Sequence, residues 1–142
     1  MIVLDTDHIS VLQHRDSPQA ETLRRRVLAL PTDEVAVTAA TLEEQARSWI
    51  SLIGRYAADV RQQVAYYARF VAMFRFFAAW QVLPFDERAA EAFRRLRSEQ
   101  VRIGATDLKI AAITLVHAAT LVSRNLRDFD KVPGLRVENW LP

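Results

Sequence analysis

The chain has 142 residues, 51% of them hydrophobic, and a formal charge of only +2 from 19 basic and 17 acidic side chains. That length suits one domain with a substantial core. The absence of cysteine excludes disulfides, thiolate metal sites and a cysteine nucleophile. Asp5 and Asp7 arrive before any apolar stretch of useful length, so no secretion signal or membrane span is expected and the cytoplasm is the expected compartment. All but two of the basic residues, Lys109 and Lys131, are arginine. Runs such as Arg24 to Arg26 and Arg94, Arg95, Arg97 offer bidentate forks suited to phosphate, although solvated helix faces explain them equally well.

In chain order, IVLD (2–5) reads as a buried parallel strand, and a helix from His8 to about Gln13 follows it. A second helix covers about 19–30, with Leu23, Val27 and Leu30 at helical spacing. Pro31, Thr32 and Asp33 break the chain before a strand over 34–38. Thr41 and Glu44 have the spacing of a capping box, which starts a helix at Thr41 and carries it to about Ile53, with Gly54 as a stop.

From 56 to 80 runs a long helical segment with two apolar seams. Val60, Val64, Tyr67, Val71 and Phe74 form one, and Tyr66, Phe70, Met73, Phe77 and Trp80 the other. A short strand over 81–85, a helix over 86–101, a helix over 106–118, a strand over 120–123 and a last strand over 135–140 complete the reading. Strands alternating with helices predict an α/β fold with a largely parallel sheet, as one domain over 1–142.

Open α/β sheets place ligands at the carboxyl edge of their strands. Asp5 ends the first strand, Glu44 opens the helix after the second, Asp107 opens the helix before TLVS, and Asp128 lies in the loop after it. Each acid has an ordinary role open to it, as a cap, a turn or a strand end. Together on one edge they form an all-oxygen site, because like charges so crowded call for a cation, and carboxylates suit Mg²⁺ or Mn²⁺. Ser123, Arg124 and Asn125 are candidates for holding substrate, although a loop hydrogen bond is the stronger reading for Ser123. His8 is expected to pack, His117 to sit at a helix C-terminus and His14 at the surface.

Four segments, LDTDHIS, VTAATLEEQ, IGATDLKIAAI and TLVSRNLRDFDKVPGLRVENW, together resemble the PIN-domain ribonucleases of the VapC type, the toxin half of toxin-antitoxin pairs. The resemblance runs over essentially the whole chain. It implies a three-layer α/β/α sandwich and a Mg²⁺- or Mn²⁺-dependent endoribonuclease that acts on RNA, forms a homodimer and binds a cognate antitoxin. It also implies catalytic roles for Asp5, Glu44 (rather than Glu43), Asp107 and Asp128, with Asp5 and Asp107 as the principal metal ligands and Asn125 close enough to share the fourth role. One seam of the 56–80 helix would then pack on the sheet, while Tyr66, Phe70 and Trp80 on the other meet a second subunit or the antitoxin. Asp7 would cap the helix near His8 and brace the site.

Two other readings stand beside this one. DTDHI approaches the pattern of an aspartyl phosphotransferase with Asp5 as nucleophile, except that Ile9 stands where threonine or valine belongs. A PIN-like fold can also serve as a non-catalytic regulatory module.

Overall fold

A computed structural model describes residues 1–13 and 17–142; the expectation for His14 lies outside the described residues. Five strands, β1 (Ile2–Leu4), β2 (Val35–Thr38), β3 (Gln81–Leu83), β4 (Thr120–Val122) and β5 (Arg136–Glu138), form one sheet in the order β3-β2-β1-β4-β5. Every pairing is parallel, so the sheet is wholly rather than largely parallel. Short apolar strands such as IVL and VAVT form here because helices cover both faces, which lets consecutive residues all be buried.

Alternation along each strand divides the core into two layers. Val3, Ala36 and Leu121 face α5 (Glu87–Ser98) and α6 (Ala105–Val116). Leu4, Val37 and Val122 face α1 (Thr6–Gln13), α2 (Pro18–Leu28) and α4 (Val60–Ala78). The period of two in the strands thus feeds two separate helix layers, and the predicted sandwich follows. The chain steps outward from β1 through β2 to β3 on one side, then restarts at β4 on the other. The crevice between the carboxyl ends of β1 and β4 is therefore the topological switch point.

Several local expectations need correction. The helix after β2, α3 (Ala39–Arg55), starts earlier than the capping box implied. Its N-cap is Thr38, whose Oγ1 accepts the Thr41 N–H at 3.0 Å, while Thr41 lies buried inside the first turn. Thr38 wins because it is the residue at which the extended backbone of β2 ends. Gly54 does not stop the helix, which runs one residue beyond it. A short helix, α7 (Leu126–Phe129), occupies what was read as loop and buries Phe129 completely.

The two seams of α4 are the reverse of what the resemblance implied. Met73 and Phe77 are buried, and Phe70, Phe76 and Trp80 pack against the same core layer. Tyr66 leans on Trp49 and Tyr56, with ring centroids 6.3 and 5.3 Å away. Tyr66, Phe70 and Trp80 therefore belong to the inward side. The outward seam is Val60, Val64, Tyr67, Val71 and Phe74, between 45% and 70% exposed. Two stripes one residue apart have the same periodicity, so packing of α4 on α3 and the sheet decides which is covered.

Candidate active site

Asp5 follows β1 directly. Its N–H still donates to Val122 O at 2.9 Å, extending the ladder, while its carbonyl accepts the Ile9 N–H at 3.0 Å and begins α1. The side chain is only 6% exposed. Oδ1 accepts the Thr6 N–H at 2.8 Å, and Oδ2 accepts the Ser123 hydroxyl at 2.7 Å from across the switch point. Burial pushes this carboxyl up to about 6, with the charges of Asp7 and Asp107 adding to it and the Ser123 and Thr6 hydrogen bonds opposing.

Glu44 projects from α3 toward the same edge, where its Oε1 accepts the Thr6 hydroxyl at 2.8 Å. Its neighbour Glu43 is exposed and pairs with Arg47. Asp107 sits in the first turn of α6, half-buried. Its carboxyl is raised by burial and by the charges of Glu44, Asp128 and Asp7. Asp128 is held lower by the Asn125 amide, which donates to its Oδ2 at 3.1 Å, and by Lys131, 3.4 Å away. The same amide reaches Asp107 Oδ2 at 3.4 Å. Asn125 also N-caps α7, its Oδ1 accepting the Asp128 N–H.

The structure thus joins Asp5, Glu44, Asp107 and Asp128 through three small polar residues, Thr6, Ser123 and Asn125. Among the described residues no basic side chain pairs with Asp5, Glu44 or Asp107. Raised carboxyls without a counter-charge are the electrostatic mark of a place for a cation. Among the described residues no three acidic or imidazole groups close around a single point as they stand. That still fits Mg²⁺, which keeps several waters and takes only one or two carboxylates from a protein. Asp5 and Asp107 are the two that could supply them.

Two expectations change. Ser123 is fully buried, and its hydroxyl is occupied by donating to Asp5 and accepting the Asn125 N–H at 3.0 Å, so it orients Asp5 and does not touch substrate. Asp7 lies inside the first turn of α1 and does not cap it. It does brace the site. Its Oδ2 accepts the Arg124 N–H at 2.9 Å, and its Oδ1 accepts the N–H and Nδ1 of His8 at 2.7 and 2.6 Å. Burial would raise Asp7, but these hydrogen bonds outweigh it and hold the carboxyl below its ordinary value. His8 is fully buried, and its Nε2 accepts the Trp140 N–H at 3.2 Å, so Nδ1 carries the proton given to Asp7. Thr6 was overlooked, since a hydroxyl between two aspartates has no sequence signal until Glu44 is placed opposite it.

The family model described as PIN domain matches residues 2–135. The chain belongs to the PIN-domain family. Over 69 residues this PIN domain is 33% identical to the tRNA(fMet)-specific endonuclease VapC of Salmonella typhimurium, covering 46% of the chain and 52% of that protein. It is 34% identical over 70 residues to ribonuclease VapC2 of Haemophilus influenzae, covering 46% and 53%. The matched stretch spans about half the length of these curated relatives. Among solved structures, FitAcB from Neisseria gonorrhoeae is similar with a TM-score of 0.72 at 27% identity, over 99% of this chain and 98% of that one. DNA-bound VapBC from Salmonella typhimurium superposes with a TM-score of 0.76 at 22% identity, over 98% and 97%, a likeness of fold.

Proposed function

We propose that this PIN domain is a Mg²⁺-dependent endoribonuclease, with Mn²⁺ able to substitute, and the toxin of a cytoplasmic toxin-antitoxin pair. The observation that carries the proposal is the gathering of Asp5, Glu44, Asp107 and Asp128 at the switch point, with Asp5 and Asp107 raised by burial and mutual repulsion. The names of the relatives, an endonuclease and a ribonuclease, point the same way.

When bound, the cation supplies Lewis acidity that offsets charge building on a scissile phosphate and readies a water for attack. Asp5 is held rigidly for ligation, both oxygens fixed by Thr6 and Ser123 with further lone pairs left. Asp107 completes the pair of ligands, aligned by Asn125. Glu44, which accepts the Thr6 hydroxyl, would orient the water and receive its proton. Asp128 draws the Asn125 amide and Lys131 to the far side of the edge. The exposed Arg124 follows the strand end and suits a flanking phosphate.

The outward seam of α4, from Val60 to Phe74, is the surface this reading gives to a protein partner, the antitoxin or a second subunit. The test of function is cleavage mapping on total RNA with wild type beside Asp5→Asn, in Mg²⁺ and in chelator. Cleavage by wild type in Mg²⁺ alone is expected. Cleavage that persists in Asp5→Asn, or none by wild type in Mg²⁺, would remove the proposal.

A further inference from the structure

Two hollows lie end to end on the α1, α2 and α4 side of the sheet. The first, about 680 Å³, begins at Thr6 and Glu44 and runs between α1, α3 and α4. The second, about 770 Å³, lies between α2 and α4 and is rimmed by Arg24 and Arg75. Ala72 and Phe76 line both, so they form one groove that starts at the carboxylates and leads away along α4.

We propose that this groove is the path of a single RNA strand, whose bases lie over Trp49, Phe76 and Trp80 while Arg69, Arg75 and Arg24 hold its phosphates. The inference rests on the nuclease reading and extends it from the scissile bond to the flanking nucleotides. Arg69, Met73 and Phe76 recur at steps of four and three, so they share one face of α4, and Trp80 lies just beyond its end. From Arg69 to Phe76 that face is about 10 Å long at 1.5 Å per residue, room for about two nucleotides.

The chemistry alternates along it as a single strand requires. Arg69 and Arg75 are exposed, and Phe76 and Trp80, with ring centroids 5.5 Å apart, are half-buried. Aromatic platforms stack any base, and guanidinium groups track the backbone. Near the acids the wall turns polar, where the Gln13 and Gln45 amides exchange hydrogen bonds of 2.9 and 3.2 Å and present amide edges to a base. Charge also gives the groove a direction. The arginines attract phosphates at one end, while the acids at the other admit one only together with a cation.

The test is binding of a labelled single-stranded RNA of about a dozen nucleotides to the full chain carrying Asp107→Asn, which blocks cleavage, followed by anisotropy over a range of salt. Adding Arg69→Gln and Arg75→Gln is expected to raise Kd about tenfold and to reduce the slope of log K against log salt by about 1.4, at 0.7 per lost phosphate contact. Arg94→Gln and Arg97→Gln on α5, in the opposite layer, make the same change in charge and are expected to alter neither. Unchanged affinity and slope in the groove variant, or equal losses in both, overturn the path, and the nuclease reading stands if wild type still cleaves in Mg²⁺. Loss of protein-partner binding with RNA affinity intact gives the groove to that partner instead. A wild-type chain that neither binds nor cleaves RNA in Mg²⁺ defeats both.

Discussion

Replacing Asp5 by Asn is expected to abolish cleavage and at the same time to stabilise the metal-free fold. An unfolded Asp titrates near 3.8, and burial raises Asp5 to about 6 in the folded chain. The folded state therefore holds an extra proton between those values, and stability falls as pH rises through that window. Above it the charged carboxylate costs about 3 kcal/mol, from roughly two pKa units at 1.36 kcal/mol each. Asn removes that cost. Against it stands the Ser123 hydroxyl, which now donates to Oδ2 and accepts from Asn125. An amide in place of Oδ2 would face it with a second donor and force it to turn, at about 1 kcal/mol. The net gain at pH 7.5 in chelator is about 2 kcal/mol, or roughly 4–8 °C in Tm for a chain of this size. Near pH 4, where the folded wild type is already protonated, the advantage disappears. Mg²⁺ should raise the Tm of wild type and leave the variant unmoved. Thermal melts of both proteins across pH, with chelator and with Mg²⁺, measure all of this. A variant less stable than wild type in chelator at pH 7.5, or a difference that does not shrink toward pH 4, would refute the electrostatic account.

Asp7→Asn should be far milder in cleavage assays, because an amide keeps one acceptor for His8 or Arg124 and loses only part of the clamp; a loss as complete as in Asp5→Asn would make Asp7 a ligand. His8→Ala strands the Asp7 carboxylate and the Trp140 N–H beside a new cavity, so a loss of about 2–4 kcal/mol in chemical denaturation is expected, and a change below 0.5 kcal/mol would contradict the buried network. Tyr67→Asp with Phe74→Asp alters exposed positions, so the melting temperature should hold while self-association or antitoxin binding, read by light scattering and titration, is lost; unchanged mass and affinity would clear the outward seam of any role.

The candidate site was more legible than the surface around it. Asp5, Asp107 and Asp128 could be placed on one edge because each sits just after a strand or in the first turn of a helix, and a parallel sheet puts all such junctions on the same side, while Glu44, expected in a first turn, lies one turn further into α3 and still reaches that edge. The small residues that tie them together were not legible. Ser123 was open to both a substrate contact and a loop hydrogen bond, because a hydroxyl after a strand has the same local signal whether it points to solvent or, as here, to Asp5, 118 residues away in sequence. Thr38 and Thr41 are the same residue type three apart, and only the end of β2 decides which one caps α3.

Periodicity by itself determined that the chain alternates strands with helices, that its central strands are buried on both faces, and that α4 carries two apolar stripes. These follow from local sterics and from the period of side chains along a backbone, which every segment carries within itself. Which stripe of α4 turns inward, which hydroxyl meets which carboxylate, and how far Asp5 is removed from water belong to the tertiary structure alone. They depend on contacts between segments far apart in sequence, and desolvation and charge repulsion have no value until those segments are packed.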